Sequence, residues 1–154
     1  MMGLNLIGSV RDNILTLVEK KNSAHGFIRR SRRNEQAASM VQKLSIKIHS
    51  LSQLTGKLSG GNQQKVVLAK WLLREPEIMI LDEPTRGIDV GSRADIYKLI
   101  NEMANQGKAI LLISSDMPEI IGMCDNVIIM HERRMVGKLE REELSQQKIM
   151  SYCT

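Results

Sequence analysis

Aromatic residues are nearly absent from this 154-residue chain, which has one Trp, two Tyr and one Phe. Proteins that hold single-stranded nucleic acid stack successive bases on aromatic side chains, and the four aromatic residues here form no series. The full set is Phe27, Trp71, Tyr97 and Tyr152. The composition therefore disfavours a surface that stacks bases.

Cysteines and long apolar runs are also scarce. Cys124 and Cys153 are too few and too isolated to predict a disulfide framework or a zinc site, and we expect Cys124 to be a small core residue. The apolar stretch 1–18 is interrupted by Arg11 and Asp12, so it predicts neither a signal peptide nor a transmembrane helix. We expect a cytoplasmic protein.

Acidic residues are outnumbered, with 17 Asp and Glu against 22 Lys and Arg, for a net charge of +5. Four arginines lie together at positions 29, 30, 32 and 33. Such a patch can bind nucleic-acid phosphates, so a basic nucleic-acid-binding protein is one alternative. Since aromatic residues are scarce, we favour a solvated helix face and no nucleic-acid partner.

The glycine turn, defined as Ser59-Gly60-Gly61, is the first motif that indicates chemistry. It stands before residues 62–74, which are rich in helix formers and end at Glu75-Pro76. A helix N-terminus offers unpaired N–H groups to phosphate, and glycine allows close approach to the backbone. An ordinary serine cap followed by a turn is the alternative for these three residues alone.

Two adjacent carboxylates, Asp82 and Glu83, follow the apolar run 78–81. The run predicts a strand buried on both faces of a parallel sheet, which would place the carboxylates at the edge where α/β sheets bind ligands. In phosphoryl transfer, one carboxylate orders a magnesium ion and another orients or deprotonates the attacking water. A solvated acidic turn before Pro84 is the alternative.

The remaining sequence predicts an α/β fold with a mainly parallel sheet, because strands alternate with helices. Apolar residues at helical spacing predict a helix over 90–104. Asp116 and Glu119 resemble a capping box at the start of a short helix. The other predicted elements are a strand over 109–113, a hairpin of strands 127–130 and 135–139, and a last helix over 140–150.

Three runs together carry a family resemblance. Residues 58–65 (L-S-G-G-N-Q-Q-K), 78–84 (I-M-I-L-D-E-P) and 85–91 (T-R-G-I-D-V-G) resemble the signature motif, Walker B segment and D-loop of ATP-binding-cassette (ABC) ATPases. The N-Q-Q-K and T-R-G-I-D-V-G wording is similar to the second nucleotide-binding domain of bacterial ribose- and galactose-type sugar importers. The similarity begins near Val10 and covers nearly the whole chain.

The resemblance implies a partial P-loop NTPase core together with part of a helical subdomain. Residues from about 1 to 75 would form the helical subdomain and signature helix. Residues from about 76 to 154 would carry the Walker B segment, the D-loop and the carboxyl-terminal part of the core. Together they would belong to the carboxyl-terminal portion of an importer's ATPase, with ATP and Mg²⁺ as its cofactors.

The resemblance also implies roles in two different sites. Ser59, Gly60, Gly61 and Gln63 belong to the signature motif, in which Ser59 and Gly61 would contact the γ-phosphate of a nucleotide held by an opposing domain. Asp89 would lie in the D-loop between the two sites. That role is compatible with a simpler one as the N-cap of the following helix.

The carboxylates would act on a nucleotide bound by the domain's own phosphate loop. Asp82 would serve the magnesium ion through water, and Glu83 would act on the hydrolytic water. Ser115 occupies the position where the family usually has a switch histidine. Serine can hydrogen-bond a phosphate but cannot carry positive charge, so we expect a slow or degenerate site.

The phosphate-loop motif G-x-x-x-x-G-K-S/T does not occur in these residues. In the family it lies upstream, as do the adenine-stacking strand and the Q-loop glutamine. We expect ATP and Mg²⁺ to bind only when a longer chain or a partner supplies this loop, so the chain alone would be catalytically incompetent. A truncated subunit that lends the signature motif to a partner domain, or a gene remnant, is an alternative.

The partners that the resemblance implies are a second ABC ATPase domain, membrane permease subunits and, indirectly, a periplasmic sugar-binding protein. The assembled protein would lie on the inner face of the cell membrane. No residue of this chain is expected to select the sugar.

Overall fold

The computed structural model describes residues 3–18, 23–24, 27–28 and 30–153, and Arg29 of the basic patch lies outside them. Within these ranges the chain forms helices and strands in a mixed order, and no helix there combines the length and apolar character needed to cross a bilayer. The helices are α1 Val10–Leu15, α2 Arg30–Lys43, α3 Gly60–Leu72, α4 Val90–Asn105, α5 Met117–Met123 and α6 Gln146–Met150. The strands are β1 Ser23–Ala24, β2 Phe27–Ile28, β3 Ile78–Asp82, β4 Ala109–Ile113, β5 Asn126–His131 and β6 Arg134–Glu140.

Side-chain caps fix where four of the helices begin. Ser9, Asp89, Asp116 and Ser145 each accept a hydrogen bond from the backbone N–H three residues further along, at the starts of α1, α4, α5 and α6. Such caps satisfy N–H groups that have no partner within the helix. The predicted N-cap roles of Asp89 and Asp116 are confirmed.

The first compact unit comprises the described residues of Met1–Met79 and Thr85–Ala109. A cluster of Leu15, Val18 and Ala37 forms part of its core, with Leu51 and Leu73 packed against it. Helix α4 buries the four apolar residues that the helical spacing predicted, so that prediction is confirmed. These residues are Ile96, Leu99, Ile100 and Met103.

The described arginines of the basic patch, at positions 30, 32 and 33, lie on α2 in this unit. Arg32 is exposed, whereas the Arg33 guanidinium lies 3.2 Å from an Asp12 carboxylate oxygen. Hydrogen bonding from the Ser9 hydroxyl, followed by the nearby Arg11 and Arg33 charges, holds the pKa of Asp12 below its usual value. An acidic residue therefore offsets part of the local positive charge.

The second compact unit comprises the described residues of Ile80–Pro84 and Ile110–Thr154. Its core is a cluster of Val127, Ile129, Leu139 and Ile149. Cys124 packs against this cluster but is only partly buried, so its expected place inside the core is corrected to the margin. Burial raises the pKa of the Cys124 thiol. The predicted functional boundary near residue 75 stays a prediction, since compactness is a different criterion.

The predicted hairpin is confirmed as antiparallel strands β5 and β6. Its turn residues Glu132 and Arg133 have φ angles of 44° and 65°. Two-residue hairpin turns need this left-handed conformation because its twist matches that of the strands. Two non-glycine residues adopt it here.

The predicted last helix over 140–150 is wrong in its first half. Strand β6 continues to Glu140, and a 3-10 turn over Arg141–Glu143 follows, with reciprocal capping between Glu140 and Glu143. Ser145 then caps the five-residue helix α6. Two consecutive capping arrangements divide the segment, because each favours a new helical start.

Strands β3 and β4 pair in a parallel sheet. Ala109 N–H donates to the Glu77 carbonyl at 2.9 Å, and Glu83 N–H donates to the Ile113 carbonyl at 2.8 Å. The two strands therefore run in the same direction. The parallel arrangement that the sequence predicted is therefore confirmed.

The predicted burial of β3 on both faces is wrong. Met79 and Leu81 are buried, but Ile78 and Ile80 are 68% and 63% exposed. A continuous apolar run suits a strand covered on both faces, but no described residue covers the face of Ile78 and Ile80. The run therefore indicates the strand correctly and its surroundings incorrectly.

Candidate functional site

The glycine turn lies at the mouth of α3, as predicted, although α3 begins two residues before the predicted helix. Ser59 is the N-cap residue but makes no side-chain cap hydrogen bond. Its Oγ instead accepts from the Asn62 side-chain amide at 2.9 Å. The start of α3 thus differs from the four capped starts, since its first N–H groups are not satisfied by the cap side chain. N–H groups at such a helix start are able to donate to an anion.

The two glycines of the turn have different surroundings. A Cβ built on Gly61 would lie 2.5 Å from Ser92 Cβ and 3.3 Å from an Ile88 methyl, so α4 packs directly on this position. A Cβ on Gly60 would find its nearest neighbour, the Gly87 carbonyl oxygen, at 3.7 Å. Packing therefore requires glycine at position 61 but not at position 60.

The side chain of Gln63 turns back toward the segment that precedes α3. Its Nε2 donates to the carbonyl oxygens of Leu58 at 3.1 Å and Thr55 at 3.3 Å. Its backbone N–H donates to the Ser59 carbonyl at 2.9 Å. Gln63 thus braces the glycine turn, and its predicted contact with nucleotide stays a prediction.

Asp89 starts the helix that packs on the glycine turn. Its carboxylate accepts from the Ser92 N–H at 3.0 Å, and this hydrogen bond holds the pKa of the exposed carboxyl below its ordinary value. Gly87, just before it, has a φ of 72° and faces Gly60. The structure therefore brings the segment 87–92 against the glycine turn, within one compact unit.

Lys65 and Asp95 form a link between α3 and α4 that sequence reasoning missed. Lys65 is 5% exposed, and its Nζ lies 2.8 Å from an Asp95 carboxylate oxygen and 3.3 Å from the Ser45 carbonyl. The pair borders a cavity of about 110 Å³. Nothing in the sequence pairs residues thirty positions apart, although a lysine on the buried face of a predicted helix is a usable signal.

The two carboxylates lie in the second compact unit, at the end of β3. Asp82 is the last residue of the strand and is exposed. Glu83 follows with a φ of 47°, and its Oε1 accepts from the Ser115 N–H at 2.9 Å. The structure therefore brings Glu83 and Ser115 together through the Ser115 backbone, next to β4.

The donor chemistry at this strand end fits a magnesium ion held partly by water. In the described ranges, no group of three or more His, Cys, Asp or Glu side chains is placed to hold a metal. Mg²⁺ usually keeps several waters and uses one or two carboxylates together with substrate phosphates. The exposed Asp82 can supply one such carboxylate.

The predicted site residues thus fall into two groups. Ser59, Gly60, Gly61, Gln63 and Asp89 lie in the first unit, and the other three lie in the second. The second group is Asp82, Glu83 and Ser115. Each group is assembled locally by the contacts given above.

Comparison with known proteins identifies the family. The family model described as "ABC transporter" matches residues 4–86, which is more than half of the chain. This chain therefore belongs to the ABC transporter family. The matched range includes the glycine turn and both carboxylates.

Individual relatives narrow the similarity. A ribose/galactose/methyl galactoside import ATP-binding protein of Geobacillus kaustophilus is 51% identical over 154 residues, which are 100% of this chain and 31% of that protein. The ribose import ATP-binding protein RbsA of Oceanobacillus iheyensis is 47% identical over 99% of this chain and 31% of its own length. The chain thus spans about three tenths of these curated relatives.

Solved structures agree on the fold. A dimeric ATP-binding cassette in a post-hydrolysis state, bound to ADP and phosphate, superposes with a TM-score of 0.76 at 20% identity. The match covers 92% of this chain and 61% of the cassette. The predicted P-loop NTPase type of α/β fold is therefore confirmed.

Proposed function

We propose that this chain forms part of the ATPase of a bacterial ABC importer for ribose- or galactose-type sugars, in which ATP hydrolysis is coupled to uptake. The names of its relatives support the sugar class, and the family supports ATP as the nucleotide. The observation that carries the proposal is the uncapped start of α3 at the glycine turn. That turn offers backbone donors where a phosphate would meet them.

The glycine turn serves a nucleotide held by an opposing ATPase domain. Ser59 supplies a hydroxyl, and Gly60 and Gly61 supply N–H groups, to the γ-phosphate. Gln63 holds the start of α3, and Asp89 lies beside this surface at the N-terminus of α4. Backbone donors fixed before the nucleotide arrives need no reorganisation when charge develops on the phosphate.

The carboxylates serve a second nucleotide, bound by a phosphate loop outside these residues. Asp82 would hold Mg²⁺ through water, and a bound ion would supply positive charge next to the phosphates. Glu83 orients or deprotonates the attacking water, and the Ser115 N–H fixes its carboxylate. Ser115 carries no charge, so this site hydrolyses slowly compared with one that has histidine at the switch position.

The assembly that follows has several partners. A second ABC ATPase domain faces the glycine turn, and permease subunits dock on the helical part. A periplasmic sugar-binding protein delivers the sugar on the other side of the membrane. The working location is the cytoplasmic face of the cell membrane.

Sugar uptake in cells that carry the complete importer tests the proposal. Ser59→Arg places a bulky cation where the phosphate approaches, and Glu83→Gln removes the carboxylate that acts on water. We expect Ser59→Arg to reduce uptake of labelled ribose or galactose by about tenfold or more, and Glu83→Gln to reduce it by a smaller factor because the site that Glu83 serves is already slow. Undiminished uptake with both variants would contradict the proposal.

Two matched controls separate site effects from general damage. Ser52→Arg makes the same change at an exposed serine before the glycine turn, and Glu77→Gln removes an exposed carboxylate before β3. Both should leave uptake near the wild-type level. Transporter abundance in membranes, measured by immunoblot, must stay equal across the four variants.

A further inference from the structure

A buried asparagine on α1 begins a series of hydrogen bonds that leads to the glycine turn. Asn13 is 4% exposed, and its Oδ1 accepts from the Asn5 N–H at 2.8 Å. Its Nδ2, whose two hydrogens are shared among three acceptors, lies 2.9 Å from the carbonyl oxygens of Asn5 and Ser9 and 2.8 Å from Thr55 Oγ1. The side-chain amide therefore uses both its donor and its acceptor capacity inside the protein.

Thr55 is the next residue in this series of hydrogen bonds, and it is fully buried. Its hydroxyl accepts from Asn13 and donates to the Gly8 carbonyl at 3.2 Å. Its own N–H also donates to Gly8, at 3.0 Å, and its carbonyl accepts from Gln63 Nε2. Thr55 thus joins the amino-terminal segment on one side to α3 on the other.

Gln63 is the last residue in this series of hydrogen bonds and connects it to the glycine turn. The same Nε2 also bonds the Leu58 carbonyl, and the Gln63 N–H bonds the Ser59 carbonyl. Gln63 therefore holds the two residues that lead into Gly60. A displacement of Thr55 would change the direction in which the first N–H groups of α3 point.

We propose that Asn13 and Thr55 are positioning residues that orient the glycine turn through Gln63, and this rests on the function proposed above. Apolar side chains of similar size would fill the same space without the cost of burying polar groups. A fully satisfied polar network instead specifies one arrangement of the segments that it joins. That property is useful where backbone donors must meet a phosphate.

Two substitutions at position 55 separate the hydroxyl from the shape of the side chain. Thr55→Val keeps the branched shape but removes the hydroxyl, and with it the side-chain hydrogen bond between Asn13 and Thr55 and one of the two bonds from Thr55 to the Gly8 carbonyl. Thr55→Ser keeps the hydroxyl. Leu15→Val serves as the matched control, because it weakens the core of the same unit without touching the hydrogen-bonded chain.

Amide hydrogen exchange of the full 154-residue chain, measured without nucleotide, is the first test. In Thr55→Val, we expect the amides of residues 63–66 to exchange about tenfold faster relative to those in the middle of α4. Thr55→Ser should restore the wild-type ratio. Leu15→Val should change both regions by the same factor.

Gln63→Met keeps the test informative if Thr55→Val does not fold. It removes the amide donor from a partly exposed position and leaves Asn13 and Thr55 intact. Selective loss of protection at residues 63–66 would support the proposal. An unchanged ratio, or the uniform change given by Leu15→Val, would overturn it.

ATP hydrolysis by the complete importer gives the second test. Thr55→Val should lower kcat about tenfold with KM for ATP within about twofold, because the nucleotide's phosphate loop lies elsewhere. Thr55→Ser should recover kcat. A rise in KM with normal kcat would overturn the positioning role.

The two proposals fail separately. If Thr55→Val loosens residues 63–66 but Ser59→Arg and Glu83→Gln leave uptake unchanged, the positioning role of Asn13 and Thr55 is supported and the proposed function is contradicted. If those two site variants reduce uptake but Thr55→Val leaves exchange and kcat unchanged, the proposed function is supported and the positioning role is contradicted.

Discussion

The start of α3 and the end of β3 carry the two groups of candidate site residues, and they are held in different ways. The glycine turn is held by the Gln63 side chain, which reaches back from α3 to the carbonyls of Thr55 and Leu58, and by Ser92 of α4, which packs on Gly61. The Glu83 carboxylate is held by a single backbone N–H, that of Ser115, which lies 32 positions further along the chain.

The glycine turn and the carboxylates at the end of β3 differ in how closely the described residues around them constrain their position. Around the glycine turn, buried polar groups and close packing leave little freedom. The carboxylates instead extend from a strand with one exposed apolar face. We infer that the described residues define the glycine turn more fully than the carboxylate end, and four sets of substitutions test this.

The largest expected effect comes from Gly61→Ala. Since the added methyl would overlap Ser92, α3 and α4 must separate, and we expect the free energy of unfolding to fall by about 3 kcal/mol. Urea denaturation measures this. Gly60→Ala has room for its methyl and should cost less than about 1 kcal/mol.

A double variant tests the cause of that loss. Ser92→Gly removes the atoms that the new methyl meets, so it should restore much of the stability of Gly61→Ala. Failure of this rescue would show that the contact with Ser92 does not limit position 61.

The next effect concerns the link between Lys65 and Asp95. Asp95→Asn leaves the buried Lys65 ammonium without its carboxylate, and we expect a loss of about 2 kcal/mol in urea denaturation. Lys65→Met removes the charge and keeps the apolar stem, so it should cost less. The reverse order of these two losses would contradict a buried ammonium that depends on Asp95.

Position 83 provides a smaller effect at the carboxylate end. Both Glu83→Gly and Glu83→Ala remove the carboxylate, but only glycine adopts a φ of 47° without steric cost. We expect the glycine variant to be more stable than the alanine variant by about 1 kcal/mol in thermal or urea unfolding. Equal stability would indicate that the backbone relaxes once the carboxylate is gone.

The sequence predicted elements that repeat a local period. The four buried residues of α4 recur at helical spacing, and the β5–β6 hairpin follows from two apolar runs around a short turn. Both patterns depend on residues that lie close together in the sequence. The glycine turn and the carboxylates were likewise predictable because each motif is contiguous.

The sequence could not predict which distant residues meet. Asn13 and Thr55 are 42 positions apart, and Lys65 and Asp95 are 30 apart, and neither pair has a spacing rule. The exposed Ile80 shows the same limit, since an apolar run does not state what covers each face. The motif of the glycine turn could therefore be predicted from the sequence, whereas the hydrogen bonds that support it are visible only in the structure.

The smallest effect is a pH dependence at the start of α4. The hydrogen bond from Ser92 N–H lowers the pKa of Asp89 below 3.8 in the folded protein, so the carboxylate stabilises the fold at pH values above 3.8. That contribution is lost as the pH falls through the lower, folded-state pKa. Asp89→Asn keeps a capping oxygen but does not titrate, so its stability should fall less steeply between about pH 5 and pH 3. Urea denaturation across this range measures both slopes. Parallel slopes would mean that the contribution of the Asp89 cap to the start of helix α4 does not depend on the charge of the carboxylate.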